Sequence, residues 1–142
     1  MTFPEPLEHL TRAILPENAM LRLVVPMRGN ASAESVSLVS GLSLDPALRA
    51  LAWLYIDELD RAHEICQSMG DATGAALHAM VHRREGDFGN ALYWWHRAGN
   101  HPALVGQNPV ELTKAVEAGD VSEATIERQR EEWSALAAWC AA

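Results

Sequence analysis

Three acid-led corners, recurring at nearly constant spacing, constrain this chain most. Asp57-Glu58-Leu59-Asp60-Arg61-Ala62 lines up with Gly86-Asp87-Phe88-Gly89-Asn90-Ala91 and with Gly119-Asp120-Val121-Ser122-Glu123-Ala124, the closing alanines lying 29 and 33 positions apart. Each block sets an acid near a helix start, a bulky apolar residue just inside it and an alanine three residues later. The acid suits the unsatisfied N–H groups and positive dipole end of a helix. The alanine lets a neighbouring helix approach closely. Paired helices repeating at this interval predict an all-α fold of antiparallel helical hairpins, stacked as a short solenoid or an orthogonal bundle.

The rest of the chain fits that frame. Its first 17 residues are punctuated by prolines, with Leu7, Leu10 and Ile14 on one short helical face between Pro6 and Pro16. The apolar run from Met20 to Val25 is too short for its period to decide, but no second strand candidate exists to pair with it, so a helix is expected. Ser32 can cap a helix carrying Val36 and Val39, and Asp45-Pro46 opens another with Leu48, Leu51, Ala52 and Tyr55 on its inner face. The pattern resumes at Leu59, Ala62, Ile65, Cys66 and Met69, and Gly70 closes it. A short helix runs from Val110 to Ala118; the last is expected to start at Asp120, with Glu123 in capping-box spacing. Its inner face is Ile126, Trp133, Leu136, Ala137 and Cys140. One domain results, residues 1–44 forming N-terminal helices and turns and residues 45–142 the repeat-like hairpins.

The corner blocks resemble the second-helix opening of tetratricopeptide-type repeats, in which a Gly-Asp turn precedes an apolar residue and then alanine. The likeness spans roughly Asp45 to Trp133 and implies a concave surface that receives a peptide or partner domain. The longer block HRREGDFGNALYWWHRAGNHP is similar to one in a bacterial and fungal family of uncharacterised proteins, with its His-Arg-Arg-Glu turn, Asn-Ala pair, aromatic pair and closing His-Pro. That likeness implies no activity.

With 11 basic against 19 acidic residues, the formal net charge is −8, which opposes binding to a phosphate backbone, so nucleic acid is not an expected partner. Cys66 and Cys140 match no metal-finger or redox spacing and sit among apolar helix residues, as small hydrophobes do. The N-terminus lacks a basic region followed by an apolar run, and no stretch approaches the ~18 apolar residues of a membrane span. A reduced, soluble, cytoplasmic protein is expected, with no membrane partner. A second copy of the chain could cover the solenoid ends, giving a homodimer.

Candidate chemistry concentrates between His63 and His101. On a helix from about Asp71 to Glu85, Ala72, Ala76, Ala79 and Met80 share one side, while His78, His82 and Glu85 fall within about 60° of each other on the opposite side. Two histidines four apart with a carboxylate three further on can hold a divalent transition metal. Ala79 stands where a zinc protease would carry its general-base glutamate, which excludes that motif. The best additional ligand is His63, 15 residues before His78 on the helix expected to pack antiparallel. The simpler reading is a solvated polar face, with Glu85 pairing His82 or an arginine. Beyond Gly86, Phe88, Ala91, Leu92 and Trp95 read as core, whereas Tyr93 and Arg97 point away, with Trp94 and His96 on the flanks. No phosphate loop, nucleophile elbow or dinucleotide fingerprint is present.

Two functions compete. The favoured expectation is a non-enzymatic binding module without cofactor, presenting a groove of His63, His78, His82, Glu85, Tyr93, Trp94, Arg97 and His101 to a peptide, protein or small ligand. The alternative is a metal-binding protein or hydrolase-type enzyme holding zinc, or another divalent transition metal, on His78, His82 and Glu85 with His63 assisting.

Overall fold

The computed structural model describes residues 3–21, 23 and 31–142; among these described residues eight α-helices pack against one another and there is no strand. They are α1 (Glu8–Ala13), α2 (Ala33–Ser40), α3 (Pro46–Tyr55), α4 (Leu59–Cys66), α5 (Ala72–Glu85), α6 (Phe88–Ala98), α7 (Pro109–Glu117) and α8 (Glu123–Ala141). From α3 onward, consecutive helices pack as hairpins, most extensively α5 on α6, and α8 returns to close on α3. No helix among the described residues is long and apolar enough to cross a membrane.

Helix starts follow side-chain chemistry. Ser32, Asp71, Asp87 and Asn108 each accept from a backbone N–H of the first turn of α2, α5, α6 and α7. Pro46 opens α3, where Asp45 sits at the cap without a side-chain bond. Two expected caps act differently. Asp120 accepts from the Ser122 N–H at 2.9 Å, and Ser122 is the residue that caps α8. Glu58 occupies the cap position of α4, while Asp57, left-handed at φ 62°, turns its carboxylate back into the protein. The corner alanines Ala62 and Ala91 are fully buried, as close helix approach requires. Ala124 is exposed because α8 begins outside the packed interior, so the third corner repeats the motif without its packing.

The helix expected through the apolar run at 20–25 does not form where that run is described: Leu21 lies in a turn and Leu23 in a bend. Residues 22, 24 and 25 lie outside the described residues. Met20 is left-handed at φ 50°, and its N–H is given to Tyr55 O at 3.0 Å. The Leu21 N–H goes to Asp57 Oδ2 at 2.9 Å. The left-handed turn at Met20 breaks the helical path, and the corner between α3 and α4 takes both donors. On the far side of the same segment, Glu58 Oε2 accepts the Ala31 N–H at 2.8 Å.

The core centres on α3, α5 and α8, with Leu51, Leu54, Leu77, Met80, Trp133 and Leu136 among its buried side chains. Each stabilises the fold by about 1.5–3 kcal/mol relative to exposure. Trp133 donates Nε1–H to Leu51 O at 2.9 Å and packs against Tyr55, whose hydroxyl donates to Ile14 O at 2.6 Å. α5 is buried on every side from Gly74 to Arg84, which overturns the solvated-face reading. Its cations are therefore answered internally. Arg83, 2% exposed, forms a two-pronged pair with the fully buried Glu132 of α8 and donates to Thr113 Oγ1 of α7 at 3.2 Å. Arg84, equally buried, donates to Leu54 O at 2.8 Å and to Asp57 Oδ1 at 3.2 Å. Burial pulls the Arg84 guanidinium down to about 10, with the Asp57 charge opposing.

Removing one partner of the Arg83–Glu132 pair leaves an uncompensated buried charge. Glu132→Ala is expected to cost about 3–5 kcal/mol in urea unfolding, and the double variant Arg83→Met/Glu132→Leu to recover most of that loss. Glu111→Ala, which breaks the exposed pair with Arg128, is expected to cost under about 1 kcal/mol.

Candidate metal centre

Two local devices bring α4 and α5 together. A Cβ on Gly74 would lie 2.6 Å from Met69 Cβ and from Met69 O, so only glycine lets the first turn of α5 sit this close to the end of the preceding segment. At the other end, Gly86 adopts φ 80° and its N–H bonds to Arg83 O, while the Asp87 N–H bonds to His82 O at 2.9 Å. This Schellman pairing ends α5 sharply and turns the chain into α6. One turn before that end, His82 faces α4.

His63 of α4 meets His78 and His82 of α5. One ring nitrogen from each lies within 4.8 Å of the other two. The ring centroids are 5.0 Å apart for His63–His78, 5.3 Å for His63–His82 and 5.7 Å for His78–His82, the last two rings lying parallel within 4°. A tetrahedral ion with nitrogens at about 2.0 Å separates its ligands by about 3.3 Å, so the rings need draw in by only about 1.5 Å. His78 and His82 are buried and His63 is half-buried, so the cluster opens on the α4 side.

Each ring is held from behind. His78 stacks on Trp94 of α6 at 4.0 Å and 9°. His82 Nδ1 lies 3.2 Å from Glu85 Oε2. A carboxylate only accepts, so this nitrogen carries a proton and Nε2 is the nitrogen left for an ion. That is the carboxylate–histidine arrangement that orients metal-ligating imidazoles. His78 Nδ1 is buried with no hydrogen-bond partner among the described residues. Burial, followed by the neighbouring His63 and His82, pushes the His78 imidazole down to about 4, so it stays neutral near pH 7. Neutral imidazoles with inward lone pairs are what a transition ion requires.

The sequence-nominated residues divide into three groups. His63, His78 and His82 converge, and Glu85 stands behind His82 instead of joining them as a ligand. Trp94 backs His78, and Tyr93 and Arg97 flank Trp94, the guanidinium lying 5.6 Å from the Trp94 ring and 5.8 Å from the Tyr93 ring. His101 belongs elsewhere: its Nδ1 accepts the Ala103 N–H at 3.0 Å, its Nε2 lies 2.9 Å from Thr73 Oγ1, and its ring meets Trp139 edge-on. Cys66 and Cys140 are free thiols pushed up by burial to about 12 and about 11, which agrees with an apolar role. The backing role of Trp94 was not foreseen for His78 itself; the spacing from one helix to the next carried no register to reveal it.

No family model, curated protein or solved structure matches this chain.

Burial lowers the affinity of His101 for a proton, with the Asp71 charge opposing. Protonation would also set an Nδ1–H against the Ala103 N–H. A folded-state value below the unfolded one means that this stability is complete above the unfolded value of about 6.5 and is lost as pH falls through and below it. The urea midpoint of metal-free protein is expected to fall between pH 7 and pH 5. His101→Asn, lower in stability at pH 7, should lose less over the same interval.

Proposed function

We propose that this chain is a metal-binding protein in which His63, His78 and His82 together hold one divalent transition ion, zinc or another that imidazole suits. One observation carries the reading: three imidazoles from two helices bring one ring nitrogen each within 4.8 Å of the other two. Imidazole suits zinc, copper, nickel and iron, whereas hard ions such as magnesium and calcium select oxygen donors. Glu85 is a positioning residue that fixes the tautomer of His82. Exposed acids on α4, Asp60 and Glu64, and the net charge of −8 favour approach of a cation.

A second reading keeps the binding face, without metal, for a protein or peptide partner. It is favoured by Tyr93, 54% exposed, with Arg97 laid against it and Trp94 behind. The two separate experimentally, because a partner face needs Tyr93 and Arg97 whereas an ion needs the histidines.

Zinc at about 100 times its dissociation constant should stabilise the protein by about 2.7 kcal/mol, a rise of about 5–10 °C in melting temperature. His63→Ala, at a half-exposed position, should keep the fold and abolish that rise. Glu85→Gln should weaken zinc by about 10- to 100-fold in a competition titration. A melting temperature indifferent to zinc, or an undiminished response in His63→Ala, would falsify the reading.

A further inference from the structure

We infer that the ion held by His63, His78 and His82 keeps one coordination position open, taken by water and exchangeable for a small monodentate anion. This rests on the metal reading above and adds what the fourth position does.

Three protein donors are all that converge. Among the described residues, no cysteine thiol and no Asp or Glu oxygen joins the three imidazoles within the same 4.8 Å. The nearby candidates are turned to other work. Cys66, one turn along α4 from His63, aims its thiol at its own helix, with Sγ 3.4 Å from His63 O. Glu85 Oε2 meets Nδ1 of His82, which leaves Nε2 of that ring for an ion. Asp87 Oδ2 lies 4.0 Å from His82 Nδ1 and accepts from the Asn90 side chain at 3.2 Å. Both carboxylates are therefore engaged at Nδ1 of His82 and not among the three converging nitrogens. Trp94 closes the back of His78 with an apolar ring that offers no lone pair. The remaining direction is the α4 side, where His63 is only half-buried.

Charge favours an anion there. Three neutral imidazoles leave the full double charge on the ion, the condition under which a zinc-bound water is most acidified. Exchange is a ligand substitution: the metal–oxygen bond to water breaks, a bond to the entering anion forms, and the water leaves with its protons. Sites closed by four protein ligands are structural, and those with three plus water admit a further ligand.

Cobalt(II) reports the difference, since its visible bands follow coordination number and donor type. Loading the full chain with cobalt(II) should give a tetrahedral-type spectrum, and millimolar azide should shift it. Cys66→Ala should leave that azide response unchanged. A cobalt-loaded protein whose spectrum is indifferent to azide would overturn the open position. So would a near-ultraviolet thiolate-to-cobalt band that disappears in Cys66→Ala, since Cys66 would then fill the position. Failure to bind cobalt at all would instead remove the metal site and the open position with it.

Discussion

The buried pairing of Arg83 with Glu132 is what permits α5 to run through the interior. A desolvated guanidinium costs several kcal/mol unless its charge and its donors are met. α5 carries two of them side by side, and they reach in different directions. Arg83 is answered from α7 and α8 by Thr113 and Glu132, Arg84 from the α3–α4 corner by Leu54 O and Asp57. Adjacent residues on a helix differ by about 100° in direction, so the two anchorages together fix the rotation of α5 about its own axis. That rotation aims His78 and His82 at α4. The geometry of the histidine cluster is thus inherited from ion pairs on other faces of the same helix.

Much of this was legible because capping is local chemistry. Ser32, Pro46, Asp71 and Asp87 mark helix starts by their own side chains, and Gly86 marks an end by its backbone. The His78–His82 pair could be read from its four-residue step, and His63 from the antiparallel hairpin that brings α4 against α5. What could not be read was burial. Arg83 and Arg84 beside two histidines have the composition of a solvated face, and only the distant Glu132 and Asp57, 49 and 27 residues away, make their burial tolerable. Asp57 was similarly ambiguous: an acid before a helix suggests a cap, yet its left-handed backbone turns the carboxylate toward Leu21 and Arg84 instead. Ala124 repeated a local motif whose packing depends on neighbours that the motif does not encode.

The corner of Asp57 and Glu58 also shows why a strained backbone persists. A non-glycine residue at φ 62° costs of order 1–3 kcal/mol. Asp is among the residues that tolerate it best, and here one carboxylate satisfies a backbone N–H on one side and a buried cation on the other. Replacing the strain with glycine would remove both partners at once. The same corner holds the chain on either side of residues 22–30 through the N–H groups of Leu21 and Ala31.

His101 is the natural comparison for His78. It is 4% exposed, against 5% for His78, so the two are equally withdrawn from water. Both nitrogens of His101 are engaged, Nδ1 by the Ala103 N–H and Nε2 by Thr73 Oγ1, as buried polar groups ordinarily are. His78 stacks on Trp94 just as closely as a structural ring would, yet its Nδ1 has no hydrogen-bond partner among the described residues, and two further imidazole rings lie within 6 Å of it. An unmet buried nitrogen costs about 1–3 kcal/mol, and an apolar ring of similar size at position 78 would fill the space without it. Packing alone therefore accounts for Trp94 and leaves the unmet Nδ1 of His78 unexplained. Under the proposed metal reading, an ion would engage all three rings, with the Glu85 carboxylate holding Nδ1 of His82.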